Sequence, residues 1–314
     1  GNATAAGVYA YNGTIGNFTN SKTGSISAIA SATGYYARAE GVYADSIGNF
    51  TNSNTGSISA SANATSGDAE AYGVYAGSIG SFTNSGTISA TANATGNYAW
   101  AYGVYADNSI GNFTNSESIS ASATGGNAEA AGVYAWGGSI GSFTNSRSIS
   151  ASANATNDGA EAEGVSVGHI DNFTNDGSIS ASATGYSARA YGVSADSIGN
   201  FSNSGSISAS ASATGNYAGA WGVRTNFSIG NFTNSRSITA TANAVGNGTW
   251  VYARAFGVYA DSIDNFTNSG SITATANTVG NGTCVFADAF GVYAEDSIDN
   301  FTNSGSISAN ATGN

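Results

Sequence analysis

Residues 148–156 read SISASANAT, and the alternation in that stretch decides the fold. Ile149, Ala151, Ala153 and Ala155 fall on one side of an extended chain, and Ser150, Ser152 and Asn154 on the other. A strict period of two predicts a half-buried strand with its Ile/Ala face inward. A turn that usually contains TG or GN follows. The chain resumes as A-x-A-x-G-V, as at Ala99, Ala101 and Gly103, where x is Arg, Glu, Trp, Tyr or Asp in different copies and is expected to point outward. After the Gly the alternation breaks. Val occurs in every copy, whereas the residue after it is usually Tyr but also Ser166, Ser194 or Arg224. Val is therefore expected inside and Tyr outside, with the Gly at a bulge or corner where a missing Cβ is useful.

Working outward, the same phrase fills the chain. Gly-Val recurs at Gly7, Gly41, Gly73, Gly103, Gly132, Gly164, Gly192, Gly222, Gly257 and Gly291, at spacings of 28 to 35 residues. The Phe of an FTN or FSN element recurs at Phe18, Phe50, Phe82, Phe113, Phe143, Phe173, Phe201, Phe232, Phe266 and Phe301. Ten copies of roughly 31 residues leave no linker, so residues 1–314 are expected to form one domain. The expected fold is all-β: a β-solenoid of about ten coils with three short strands per coil. A single coil has too few large apolar residues to offset the ordering of its backbone, so stability must come from stacking. The absence of Pro agrees, because every residue keeps an N–H for the ladder.

Each copy ends in Ile-x-x-Phe-x-Asn. The Asn recurs as Asn20, Asn52, Asn84, Asn115, Asn145, Asn175, Asn203, Asn234, Asn268 and Asn303. Stacked coils would place these amides about 4.8 Å apart, within reach of a hydrogen-bonded ladder. The alternative is a turn residue that tolerates left-handed φ.

Composition excludes several functions. Charged residues are 8% and the formal net charge is −12. A surface this poor in cations does not track phosphate, so neither nucleic acid nor an anionic membrane is an expected partner. No run of 18 apolar residues is present, so no membrane insertion is expected. The chain opens on Gly1 rather than Met, which reads as an exported chain whose signal has been removed.

The phrase NFTNSGSISA, residues 300–309, resembles the repeats of bacterial and archaeal surface β-solenoids, including autotransporter-type passengers and sheath or fibre proteins. The resemblance extends over the whole chain and implies a cell-surface or extracellular location.

The first and last copies are ordinary repeats without caps. Joining SISANATGN to the GNATAAGVYA of a second chain completes the phrase. Ile307 to the next Gly7 spans 14 residues, against 13, 15 or 19 between Ile and Gly-Val inside the chain. The even span departs from the odd internal ones, and a chain break in the turn can absorb one residue. Head-to-tail stacking into a filament or sheath is therefore expected, with Gly7, Val8, Phe18, Phe301 and Ile307 at the joining ends. The alternative is an adhesin-type passenger domain of a longer surface protein.

The motif N-x-[ST] makes covalent glycans expected. Asn17, Asn49, Asn112, Asn172, Asn200, Asn231, Asn265 and Asn300 precede the corner Phe, and Asn63, Asn93 and Asn154 fall near the end of the alternating strand. Outward Tyr at positions 9, 43, 75, 105, 134, 259 and 293 forms a stripe, with Tyr72, Tyr102, Tyr191, Trp221, Phe256 and Phe290 expected beside it on the surface. Such a stripe reinforces a sheet, or serves as a lateral contact or a platform for sugar rings. Outward Thr239, Thr241, Thr273 and Thr275 raise ice binding as a minor option.

No enzyme is expected. His169 and Cys284 are the only residues of their kinds, and 115 positions separate them. His169 reads as a surface substitution. Cys284 aligns with Trp250 and reads as buried filler or as an intermolecular disulfide partner. The corner carboxylates belong to the repeat instead of interrupting it, which argues against polysaccharide cleavage. No cofactor is expected. Calcium is a weak option at Asp261, Asp264, Asp296 and Asp299, beside Glu295, because hard cations take oxygen ligands.

Overall fold

The computed structural model describes residues 1–313. All twenty strands join one sheet through parallel pairings between successive coils, and the described residues contain no helix. The chain is a β-solenoid of about ten turns. A typical coil has an eight-residue strand, Ser148–Ala155, and a longer run, Gly159–Asn175, that carries both the Gly-Val and the Phe segments. The second and third runs are thus usually joined by continuous extended backbone. In two coils they separate, as at Tyr98–Ala106 and Ile110–Asn115 and again at Ser206–Thr225 and Ser228–Asn234.

Register follows the phrase. Ile149 sits between Ile119 and Ile179, and Phe143 between Phe113 and Phe173. Length differences are absorbed in turns and bulges, such as the shift between Ala135 and Ser139. Like residue therefore stacks on like residue. The Phe rings lie 4.6–4.9 Å apart and within 7° of parallel from Phe18 to Phe301. That spacing is the inter-strand distance of a sheet, seen through side chains.

The interior has two parts. One is almost all Ala, contributed by the alternating strand and by A-x-A, as in Ala151, Ala153, Ala160 and Ala162. The other packs Ile, Phe and Val, as in Ile149, Val165, Ile170 and Phe173. Ala side chains let two faces approach more closely than ordinary core residues do.

The Gly-Val corner needs Gly for a specific reason. A Cβ on Gly164 would lie within 3 Å of both Ile179 Cγ2 and the carbonyl oxygen of Gly192 in the next coil. The same two obstacles, one side chain and one backbone, recur at Gly41, Gly73, Gly103, Gly132, Gly192, Gly222 and Gly257. Val165 then points inward and is fully buried, as the sequence predicts.

One expectation is corrected here. Tyr72, Tyr102, Tyr191, Trp221 and Phe256 were expected on the surface, but their exposures are only 3–8%, and Phe290 is half-buried. They do leave the main core. However, Gly and Val both turn inward at the corner, which draws the outward residues on either side together. Tyr72 meets Tyr75 edge-on at 5.2 Å, and Phe256 meets Tyr259 at 5.2 Å. The rings bury one another in two small external clusters.

Candidate functional site

The Asn column is a continuous ladder. Asn20 Nδ2 donates to Asn52 Oδ1 at 2.9 Å, and the pattern repeats at 2.7–2.8 Å through Asn84, Asn115, Asn145, Asn175, Asn203, Asn234, Asn268 and Asn303. The same nitrogens also donate to backbone. Asn145 Nδ2 reaches Arg147 O at 3.1 Å and Ser178 O in the next coil at 3.2 Å. These carbonyls accept only, so they fix which end of each amide is nitrogen. Asn52 through Asn268 are 0–1% exposed, so the ladder is interior.

A second amide row runs outside. Asn17, Asn49, Asn112, Asn172, Asn200, Asn231, Asn265 and Asn300 are all exposed. Asn49 donates to Asn17, Asn200 to Asn172, Asn231 to Asn200, Asn265 to Asn231 and Asn300 to Asn265, at 2.8–2.9 Å. Asn93 and Asn154 are exposed and Asn63 half-buried, with Asn93 donating to Asn63 at 3.0 Å. A glycan on any of these nitrogens leaves one N–H, so glycosylation and an outer bond are chemically compatible at one site.

At the coil ends, Phe301 is 51% exposed and Phe18 9%. Val8 and Ile307 are partly buried against the core. The Gly7 corner is crowded by Ile26 and Gly41, as in the interior coils.

Seven charged residues share one outer column. Arg38, Glu70, Trp100, Glu129, Glu161, Arg189, Gly219, Arg254 and Asp288 are successive register partners. Arg38 pairs with Glu40 at 2.7 Å and with Glu70 at 3.2 Å. Burial pushes the Glu40 carboxyl up, and Arg38 opposes that shift. Burial, then the charge of Glu129, raises Glu161 while Arg189 and Arg224 oppose. Glu163 lies one step inward and is 7% exposed; burial first, then Glu161, pushes it up to about 8. Glu129, Glu161 and Arg189 share a shallow cleft of about 210 Å³ with Tyr98 and Trp100. The signal for this column was present as the x positions, but which side chains become neighbours depends on coil stacking.

His169 has partners that sequence reasoning missed. Its Nδ1 lies 2.6 Å from Ser197 Oγ and its Nε2 2.9 Å from Asp171 Oδ1. These are the residue types of a hydrolytic triad, but the His and Asp side chains are 45% and 64% exposed. Solvent at that level weakens the electrostatic support such an Asp gives an imidazole. Cys284 is a free thiol of intermediate burial, opposite Trp250. Among the described residues no three His, Cys, Asp or Glu side chains converge as a metal site, so Asp261, Asp264, Asp296 and Asp299 are not brought together as one. Among the described residues no helix is long and apolar enough to cross a membrane.

The chain matches no family model, and comparison with curated proteins and with solved structures likewise finds no match. The assignment of function therefore rests on geometry.

Proposed function

We propose that this chain is a structural rod of the extracellular space that stacks head to tail, copy upon copy, into a filament or sheath. The observation that supports this reading most is the single stacking rule. Every coil meets the next in the same register, from Phe18 on Phe50 to Phe266 on Phe301. A surface that accepts the next coil in this way accepts one from a second copy by the same contacts. The interface is heterologous and does not close, which is the geometry of an open fibre. The exposed Asn row is the proposed site of covalent glycans, which would shield the flank of the rod. The reading includes no catalysis and no cofactor, and the resemblance of NFTNSGSISA to surface solenoids agrees with it.

Electron microscopy of the native protein with helical averaging tests the proposal. Ten coils at about 4.8 Å predict an axial repeat of about 48 Å along a continuous filament. Isolated short rods at high concentration would reject head-to-tail assembly. Peptide mapping of the same material is expected to find glycan masses at the Asn17 to Asn300 row. A second reading, an adhesin-type passenger, is favoured by the external aromatic clusters and the charged column, and isolated rods would move it ahead.

A further inference from the structure

The repeat is interrupted in one region, and there the wall opens. Ile238 to Gly257 and Ile272 to Gly291 each span 19 residues, where the other coils span 13 or 15. The extra residues form two stacked AVGNGT and TVGNGT turns. Around them, large apolar side chains stand in solvent: Val245 at 54%, Val279 at 49%, Trp250 at 60% and Phe286 at 50%. Trp250 lies in the ninth coil, with a coil on either side, so its exposure is lateral; Phe286 lies in the last coil, where Phe301 is also 51% exposed, so its exposure includes the coil end.

Tyr217, Tyr252 and Phe286 are register partners in three successive coils. With Trp250 they wall a cleft of about 440 Å³ whose remaining lining is Asn216 and Asp288. Trp250 and Phe286 stack at 6.2 Å, and Phe286 meets Tyr252 edge-on at 6.5 Å. Asp288 Oδ2 accepts from the Tyr252 hydroxyl and from Arg254 Nη2, and its Oδ1 takes part in neither bond. The result is an aromatic floor on a rigid sheet with an amide and a carboxylate at its edge.

We propose that this cleft binds a neutral saccharide. A pyranose presents a C–H face that stacks on the electron-rich face of an aromatic ring, while its equatorial hydroxyls reach polar groups at the rim. Asn216 offers a donor and an acceptor, and Asp288 an acceptor. Arg254 offsets the charge of Asp288, so selection against uronic acids and other anionic sugars rests on the overall charge of −12. A purely apolar occupant would strand Asp288 and Asn216 without water. Phe286 and Asp288 belong to the last coil, so the cleft borders the end at which the proposed stacking would occur, while Tyr217, Trp250 and Tyr252 lie in the coils before it.

The test is titration of the purified chain with cellohexaose and with chitohexaose, followed by calorimetry and by tryptophan fluorescence, with trigalacturonate as the anionic comparator. A saturable signal with at least one neutral hexasaccharide is expected, and none with trigalacturonate. Trp250→Ala and Phe286→Ala are each expected to weaken binding at least about tenfold, while Trp250→Phe, which keeps a ring, stays within a few fold of the parent. Circular dichroism establishes that each variant is folded. The proposal is overturned if neither neutral sugar titrates, or if Trp250→Ala binds as the parent does. It is equally overturned if Trp250→Ala abolishes side-to-side association in sedimentation while sugar titrations stay flat, since the cleft is then a contact between copies.

Discussion

At the scale of single residues, the interior Asn is the most constrained side chain in the repeat. Asn145 donates to Asn175, to its own corner and to the next coil, and accepts from Asn115. Asn145→Ala leaves several buried groups short of partners and is expected to cost about 2–4 kcal/mol. Asn154→Ala, at an exposed position, should change stability by no more than about 0.5 kcal/mol; denaturant midpoints compare the two. Glu163 behaves differently. Its carboxyl is raised from 4.5 to about 8, so the folded state holds a proton that the unfolded state releases across that interval. Stability is therefore full below about pH 4.5, falls as pH rises toward 8 and levels above it. Glu163→Gln is expected to flatten that slope in thermal melts recorded across the range. The Asn positions were legible because the sequence holds them in ten copies while their neighbours vary. The burial of Glu163 was not legible, since an outward x position says nothing about what folds over it.

At the scale of the element, the Gly-Val corner couples backbone and core. Gly164→Ala would press a methyl against Ile179 and the Gly192 carbonyl at once. One neighbour is a packed side chain and the other is backbone of the next coil, so neither yields cheaply. A loss of about 1–3 kcal/mol is expected. Gly159→Ala meets only Asn127 Oδ1, at 3.7 Å, and is the matched control; it should be neutral or mildly stabilising. Urea unfolding of both distinguishes crowding from a general dislike of Ala. The corner was legible because Val replaced the polar residue that strict alternation demanded. What escaped was its consequence. Two successive inward residues pull Tyr72 and Tyr75 together outside the core, and period-two reasoning treats each outward side chain as alone. The contact of His169 with Ser197 escaped for a related reason: partners 28 residues apart become neighbours only once the coil length is known.

At the scale of the whole molecule, the sequence conveyed the solenoid because a single phrase must satisfy the same environment in every coil. The site was less legible. The aromatic cleft draws on three coils, and only the longer Ile-to-Gly spans hinted that something differs there. The interior ladder has one more consequence. All its nitrogens point toward the following coil, and the carbonyls they also serve forbid reversal. Backbone dipoles in a sheet largely cancel, but these amides add, as peptide dipoles add along a helix. The exposed outer row runs the opposite way with fewer bonds and in water, where its field is screened. The rod is thus a weak permanent dipole along its length, slightly positive on the Asn303 face and slightly negative on the Asn20 face. Two rods meeting end to end are drawn to align in the same sense and repelled when opposed, whereas side by side the same dipole favours opposed rods. A fibre built end to end would be polar, with two chemically distinct tips and every subunit facing the same way.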